Sequence, residues 1–524
     1  MPLLLKGASS WLQGLLMTSW VEPTRLEQGA APGFWARRIG ILNDYVRVPY
    51  ANGSSFASQF LYREFSARGH QVTVIGPADR DAAPHELPRN HVCFPSVPLR
   101  SHPGVQLGFP TRRSLRELVA KRLDVLLGQS CTAMLDLGAW LRAAHDVPFL
   151  CVNTVHLPSV YNVLLPDSLN SSRVVNSVFA GGIIPLVERT TADNYNDSDG
   201  LIVLSDALKE YWRQRGVKVP IHVIPRAVEP KIFDSPVQGD PFPVAARRGS
   251  RLLCVCRHTR EKGLARLLEV FARWIAPAVP AATLTLVGDG PDHEAFRAAA
   301  RRLGVAARVL FPGELPISQL PAWYRNADLF LYTSLSETYG QVVSEALWCG
   351  LPVVALADGM GVCQQVQDGV NGVLVDPGQD DELVDWRFGS EAVALLRKHV
   401  RRRALAEGAV RTARLRSQPE RCVARYYEAI DAAKRHSRAT ARLRARRRPQ
   451  RYLARWTALH MALAGLGCIR PPATINRYGR KQPAWEAFEP EPVRESSPSI
   501  VVPVGPVPAG EAHPPGTGEE ALGA

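Results

Sequence analysis

The sequence predicts an α/β protein built from two Rossmann-like halves, each a parallel sheet with helices on its faces, meeting across a cleft. Three observations carry this expectation. Short β-type runs alternate with helical ones from residue 37 to about 434, and such alternation gives parallel strands joined by right-handed crossovers. The alternation breaks once, at "SPVQGDPFPVAARRGS", a stretch rich in Pro, Gly and small residues, and then restarts. The chain has 524 residues, 46% of them apolar, and a mean hydropathy of −0.09, which describes a soluble globular protein with room for two or three full cores.

The elements follow in order. Residues 1–36 form a leader without periodic pattern. "RIGILN" reads as a buried strand. "SSFASQFLYREFSARG" reads as a helix with Phe56, Phe60, Leu61 and Phe65 on one face, stopped by Gly69. "HQVTVIG" completes a βαβ unit, and "LDVLLGQ", "PFLCVNTVH", "GLIVLS" and "IHVIP" continue the series, giving a first domain over 37–234. A linker at 235–250 leads to "RLLCVC", "TLTLVG", "ARVLFPG", "LFLYTS" and "PVVAL", the strands of a second domain over 251–434 that ends in a closing helix. Residues 435–470 are basic and then apolar. The last stretch, 471–524, is rich in Pro, Gly and Glu and is expected to be disordered.

Several classes are excluded at this level. No run of 18 apolar residues occurs, so no transmembrane helix is expected. The leader lacks a basic n-region, which argues against a signal peptide. The nine cysteines are scattered, with no C-x-x-C pair and no His/Cys cluster of zinc spacing, which points to a reducing, cytoplasmic compartment. The triplets Asp79-Arg80-Asp81 and Asp197-Ser198-Asp199 are of a kind that 49 acidic residues produce by chance, and no metal site is expected from them.

The residues able to do chemistry lie at strand ends. In "SETYGQVVSEALWCGLPVVA" a strand is followed by a turn and a helix, with Glu337 and Glu345 eight positions apart. At about 100° per residue that spacing is a net rotation of about 80°, so both carboxylates can point to one side. Taken alone they read more readily as solvated charges on an exposed helix face, since surface glutamates are common. The unpaired N–H groups near Tyr339 and Gly340 form a natural seat for phosphate oxygens, and Gly340 allows close approach. After "RLLCVC" come Arg257 and, five residues on, Lys262. After "TLTLVG" comes a tight loop with Gly288, Asp289 and Gly290. Three such loops at one sheet edge suit a sugar nucleotide, which needs cations for its diphosphate and acceptors for its hydroxyls.

The order "RHTREKG", "LVGDGP", "NADLFLYTSLSETYGQVVSEALWCGLPVVA", "DGVNGVLVDPG" resembles the carboxyl-terminal domain of retaining family 4 glycosyltransferases with the GT-B fold, and the resemblance extends over roughly residues 37–434. The E-x7-E hallmark is matched by Glu337 and Glu345, and the R-x4-K pair by Arg257 and Lys262. The resemblance implies that Glu345 holds the ribose, Arg257 and Lys262 the diphosphate, and Glu337 the donor sugar. His156, just past "PFLCVN", matches a family histidine near the transferred sugar and the acceptor. The paired glycines usual after the first strand are replaced by Asn52-Gly53 and then Ser54, and "VIPRAVEPKIF" places Arg226 as an anion contact on the acceptor or phosphate side. Two departures bear on the donor sugar: Cys256 replaces a Gly, and Gln365 stands where a Glu is common.

The implied activity is retaining transfer of a hexose from a UDP- or GDP-sugar, with no cofactor and no metal, to a lipid or lipid-linked glycan. A sugar-nucleotide epimerase and a catalytically silent sugar-nucleotide-binding scaffold are the competing readings. Residues 434–455 hold ten Lys or Arg and no acid, so most of the formal charge of +14 sits in one segment. As a helix, "RYLARWTALHMALAGL" puts Leu453, Trp456, Leu459 and Leu463 on one side, flanked by Arg451 and Arg455. This suggests that residues 434–466 meet an anionic membrane surface, on the inner face of the membrane, and not nucleic acid.

Overall fold

The computed structural model describes residues 38–46, 53–80, 82–99, 106–130, 132–154, 181–182, 184–237, 239–378, 380–444 and 448–469. Of the sequence expectations, the leader, the 471–524 tail, Asn52 and His156 lie outside the described residues.

The first domain is a seven-stranded sheet. Its strands are β1 (Arg38–Asn43), β2 (Gln71–Pro77), β3 (His91–Phe94), β6 (Val125–Gln129), β7 (Phe149–Val152), β8 (Gly200–Val203) and β9 (Ile221–Val223). They are parallel throughout, in the order β3-β2-β1-β6-β7-β8-β9. A short antiparallel pair, β4 (Ser96–Pro98) with β5 (Gln106–Gly108), lies outside it. The second domain is a six-stranded parallel sheet of β10 (Arg251–Val255), β11 (Thr283–Val287), β12 (Val309–Gly313), β13 (Leu329–Tyr332), β14 (Val353–Leu356) and β15 (Gly372–Val375), ordered β12-β11-β10-β13-β14-β15. In each sheet the order reverses at one place, between β1 and β6 and between β10 and β13. The loops leaving such neighbours diverge to opposite faces and leave a crevice at the carboxyl ends of the strands.

Near-continuous apolar runs explain why both sheets are covered on two faces. In the first, Ile39 and Ile41 of β1 point to one side and Leu42 to the other, all fully buried. The helix expected after β1 is present as α1 (Gly53–Ala67), with Phe60, Leu61 and Phe65 buried on the first of these faces. Further along are α2 (Leu135–His145), α3 (Asp206–Gln214), α4 (Gln341–Trp348), α5 (Gly361–Gln365), α6 (Pro419–Arg444) and α7 (Gln450–Ile469).

Three expectations about organisation change. Part of the 235–250 linker belongs to the second core: Phe242 is fully buried against Trp323, 4.7 Å between ring centroids, and Ala246 is buried in α-helical backbone. The closing helix, counted with the second domain to residue 434, runs as α6 to Arg444. It packs on the first sheet, where Val423, Tyr426, Ala429, Ile430 and Ala433 join the α1 face.

The third correction concerns the basic segment. Leu453 and Trp456 of α7, expected to face a membrane, are buried on the opposite face of the first sheet, with Trp456 edge-on to Phe94 at 5.2 Å. Arg455, expected as a flanking cation, forms a forked pair with the buried Asp136 of α2, one arm at 2.8 Å. Arg451 lies 3.5 Å from Asp197. The second D-x-D triplet is consumed in the same way, since Asp199 is fully buried between Arg142 at 2.8 Å and His436 of α6 at 3.2 Å. The first domain is therefore completed by helices that begin at Pro419 and Gln450, far beyond its last strand, which ends at Val223.

Replacing Trp456 by Ala should lower unfolding free energy by about 3–5 kcal/mol, as for other fully buried aromatic residues. Urea denaturation of the full chain checks this, and a loss below about 1 kcal/mol would mean that α7 does not support the first sheet.

Candidate active site

The crevice between β10 and β13 brings together two of the residues that the sequence singled out, Lys262 and Glu337. The chain leaving β10 turns through a short 3-10 helix, Arg260–Lys262, and ends it at Gly263 in left-handed conformation. The chain leaving β13 bends through Thr333–Tyr339 before α4 begins. Lys262 and Glu337 meet where the two paths face each other, with Nζ 2.5 Å from Oε1. Their side chains are 14% and 13% exposed, so the pair is held mostly out of water.

Glu337 is fixed through one oxygen only. Its Oε1 accepts from Lys262, from the Tyr332 hydroxyl at 2.7 Å and from the Ser334 hydroxyl at 2.9 Å. Its Oε2 has no contact of this kind among the described residues. Burial alone would raise this carboxyl, but the Lys262 cation and the three donors override it and hold the group down at about 2. A carboxylate anchored on one oxygen and ionised at every ordinary pH can offer the other to a sugar hydroxyl. Lys262 has two further N–H donors with which it can meet an anion.

Arg257 is half-exposed at the crevice mouth, with Glu261 loosely paired at 3.6 Å. The loop of Gly288, Asp289 and Gly290 packs against the loop after β10. A Cβ on Gly288 would lie 1.9 Å from the Cys256 carbonyl oxygen, and one on Gly290 would lie 2.0 Å from that of His258. These glycines bring two loops together, and His258 N–H donates to the Asp289 carbonyl at 2.9 Å to seal the contact. Beneath it the rings of His258 and His293 stack, with Nδ1 atoms 2.9 Å apart.

Glu345 lies on α4 and is 5% exposed, accepting from the Tyr324 hydroxyl at 3.0 Å. Burial pushes its carboxyl up to about 8, against the opposing hydrogen bonds from Tyr324 and Gln341. The rotation expected from helical spacing does not apply over the whole interval. Gly340 has φ of 78°, and the helix starts only at Gln341, so Glu337 belongs to the preceding turn. Gly340 caps α4 without any side-chain hydrogen bond, which leaves the first N–H groups of the helix to the crevice side.

Tyr339, singled out for the backbone N–H groups near it, also has a side chain with a role of its own. Its side chain is buried in the first-domain cluster, not in the crevice, and its hydroxyl bonds Ser344 at 2.9 Å, Ser417 at 3.2 Å and the Arg226 carbonyl at 3.0 Å. It is a joint between domains. Gln365 supports that joint: its Oε1 accepts from Ser344 at 2.6 Å, and its amide donates to the Tyr339 and Gly340 carbonyls. Other bonds span the same cleft. Gln364 and Asp206 of α3 exchange two hydrogen bonds, and Thr338 donates to the Thr154 carbonyl at 3.3 Å. On the first-domain side, Gly53 and Ser54 open α1, and Arg226 follows β9.

Sequence reasoning missed Tyr332, Ser334 and Tyr324, the hydroxyls that hold the two glutamates. The only signal was their position, two of them at the carboxyl end of β13 in "LYTSLSE". Among the described residues no group of three His, Cys, Asp or Glu side chains is placed to hold a metal, and no helix is long and apolar enough to cross a membrane.

Comparison with known proteins agrees with this geometry. Residues 52–232 match the family described as Glycosyltransferase Family 4, and residues 244–386 match Glycosyl transferases group 1. The chain is similar to an alpha-monoglucosyldiacylglycerol synthase of Streptococcus pneumoniae, 24% identical over 61% of this chain and 70% of that protein. It is also similar to D-inositol 3-phosphate glycosyltransferase 1 of Catenulispora acidiphila, 29% identical over 67% and 84%. Among solved structures, Anabaena HepE in complex with UDP superposes with a TM-score of 0.55, at 20% identity, over 75% of this chain and 99% of that one. With both domain families matched in order and two parallel sheets of this topology, the chain belongs to the family 4 glycosyltransferases and has the GT-B fold.

Proposed function

We propose that the protein transfers a hexose from a UDP- or GDP-sugar to a lipid or lipid-linked glycan, with retention of anomeric configuration. The observation that carries this is the Lys262–Glu337 pair at the β10/β13 crevice, an anchored carboxylate beside a cation that keeps donors to spare. Lys262, Arg257 and the first N–H groups of α4 take the diphosphate, Glu337 Oε2 a hydroxyl of the hexose, and Glu345 the ribose. In the reaction the acceptor oxygen bonds to the anomeric carbon on the face from which the diphosphate leaves. The electron pair of the broken C–O bond stays on the phosphate, and the acceptor proton passes to a phosphate oxygen. Fixed cations and helix dipole stabilise the negative charge most where it is greatest, in the transition state. These groups can carry the charge that a divalent ion would otherwise offset. His156 is assigned to the hexose and acceptor side by resemblance alone.

A lipid acceptor fits the relatives, one of which is a diacylglycerol glycolipid synthase by name. With Leu453 and Trp456 buried, the surface left for a membrane is narrower than the sequence suggested: exposed Leu459, Met461 and Leu463 of α7, with exposed Arg448 and Arg451 at its start. Each basic residue near an anionic leaflet contributes about 1 kcal/mol. Co-sedimentation with phosphatidylglycerol vesicles should fall about tenfold when Leu459 and Leu463 are both replaced by Glu, with no change in unfolding midpoint.

Nucleotide binding is the first test of the donor site. Without magnesium, UDP or GDP at a hundredfold over its dissociation constant should add about 2.7 kcal/mol of stability, a rise of about 2–4 °C in Tm. Lys262→Ala should abolish that rise whatever its own midpoint. Failure of both nucleotides to shift the wild type would refute the donor assignment. NMR of the product of lipid-extract assays reads the anomeric configuration.

Glu345 adds a pH dependence. Its folded value of about 8 lies above the ordinary 4.5, so its protonated form is favoured by folding. Its contribution to stability is therefore complete below about 4.5 and lost as pH rises towards about 8. Ribose hydroxyls donate to an ionised carboxylate, so nucleotide affinity should instead increase as pH rises from 6 to 8, by up to about tenfold per unit. Calorimetric titration of wild type and Glu345→Gln across that range checks it, since the substitution should flatten the profile.

A further inference from the structure

The amino edge of the first sheet, at the far end of its strands from the cleft, carries a separate cavity of about 510 Å³. It lies across the starts of three strands: Arg38 opens β1, Gln71 opens β2, and Asn90 comes just before β3. Ser66, near the end of α1, lines it from one side, and Lys121, just past the helix Arg112–Ala120, from another. The six residues of β1, at about 3.3 Å each, put the cavity about 20 Å from the carboxyl edge.

The lining is one-sided in charge. Of its nine residues two are cations, Arg38 and Lys121, and none is a carboxylate. Asn90 is committed to placing Lys121: its amide donates to the Val72 carbonyl at 2.8 Å and the Thr73 hydroxyl at 2.9 Å, and its Oδ1 accepts from Lys121 Nζ at 2.9 Å. The carboxylate at hand, Asp124, is taken by Arg38, through the backbone N–H at 2.9 Å, Nε at 3.2 Å and Nη2 at 2.6 Å. Lys121 is thus held by a neutral amide, meets no carboxylate among the described residues, and has two N–H groups to spare. Arg38 Nη1 also makes no bond among them.

A lysine with no task beyond solubility would be left loose in water, and this one is half-buried and fixed by a side chain that spends all its bonds doing so. Concave walls concentrate the positive potential of two such cations. The volume lies within the range of about 300–1,000 Å³ usual for small-molecule sites, more than a bare phosphate ion needs. The Ser66 hydroxyl and the Gln71 amide supply neutral donors and acceptors, and only two of the nine lining residues are aliphatic, so an acyl chain would find little to lie on.

We propose that this cavity binds a small organic phosphate bearing hydroxyl groups, a sugar or polyol phosphate. Lys121 and Arg38 take the phosphate, and Ser66 and Gln71 the hydroxyls. The site is separate from the donor crevice and does not depend on what that crevice binds.

The test uses the full chain as wild type, Lys121→Ala, Lys121→Arg and Lys262→Ala, with glucose 6-phosphate, inorganic phosphate and glucose as probes in calorimetry. Glucose 6-phosphate should bind wild type with or without saturating UDP, inorganic phosphate about tenfold more weakly, and glucose not measurably. Lys121→Ala should weaken glucose 6-phosphate about tenfold or more, and Lys121→Arg no more than about threefold. Lys262→Ala should leave this binding unchanged while losing the response to UDP. Binding that is lost in Lys121→Ala, in a chain that ignores UDP, would uphold this site and sink the donor assignment. Glucose 6-phosphate that UDP displaces, or that Lys262→Ala loses and Lys121→Ala keeps, would belong to the donor crevice and overturn the proposal. Equal affinity for inorganic phosphate and glucose 6-phosphate would overturn it as well, and so would no binding to wild type up to about 10 mM. Without ligand both Lys121 variants should melt within about 2 °C of wild type, and a fall above about 5 °C in each would mark a structural lysine and overturn it too.

Discussion

The contact between Lys262 and Glu337 decides where everything else in the second domain can stand. Each charge is almost withdrawn from water, and each is tolerable only because the other is present. Removing one partner of such a pair costs about 3–5 kcal/mol, because the survivor is left buried and unpaired. The two loops that deliver them come from strands adjacent in space but separated by β11 and β12 in the chain, so the pair stitches the sheet across its point of reversal. Tyr332 and Ser334 then make the carboxylate a fixed object with one free side.

The second constraint is the joint beneath it. The turn that positions Glu337 continues into Tyr339, whose ring belongs to the first domain while its backbone starts α4 of the second. Gln365 grips the carbonyls of Tyr339 and Gly340 from α5, and Ser417, just before α6, completes the hydroxyl cluster. Helix α6 then crosses to the first sheet. One short turn therefore carries both the ligand-side carboxylate and the hinge-side aromatic, and rotation of one domain against the other must be felt at Glu337. The Gln364–Asp206 exchange sets a second tie across the cleft, so the two domains are held at more than one point.

Some of this was legible in the sequence and some was not, for reasons that particular residues show. Strand runs such as "RLLCVC" and "LFLYTS" declare themselves because parallel strands are apolar on both faces. Lys262 and Glu337 were legible because short loops at strand ends fix them, and a sequence motif can record a local geometry. Trp456 was not. An apolar stripe flanked by arginines reads the same whether it meets lipid or a protein core, and the carboxylates that settle the matter, Asp136 and Asp197, lie more than 250 residues away. The orientation of Tyr339 was hidden for the same reason, since Ser417 and Arg226 are remote in sequence. The glycines at 288 and 290 looked like phosphate-loop residues, and the structure shows that backbone crowding by Cys256 and His258 already requires them.

The charge balance of the cleft ties these observations to its chemistry. Glu337 is ionised and spends its charge on Lys262, while Glu345, at about 8, is mostly neutral at pH 7. Of the two hallmark carboxylates only one therefore opposes an incoming anion, and it is already paired. Arg257, loosely held by Glu261, is left to set the potential, with the N-terminus of α4 adding to it. On the proposed reading, a diphosphate entering this crevice would meet these cations and the first N–H groups of α4. If the glycosidic bond of such a donor breaks there, the fixed charges gain most as that group becomes more negative, which is the condition for accelerating the step and not merely binding the donor.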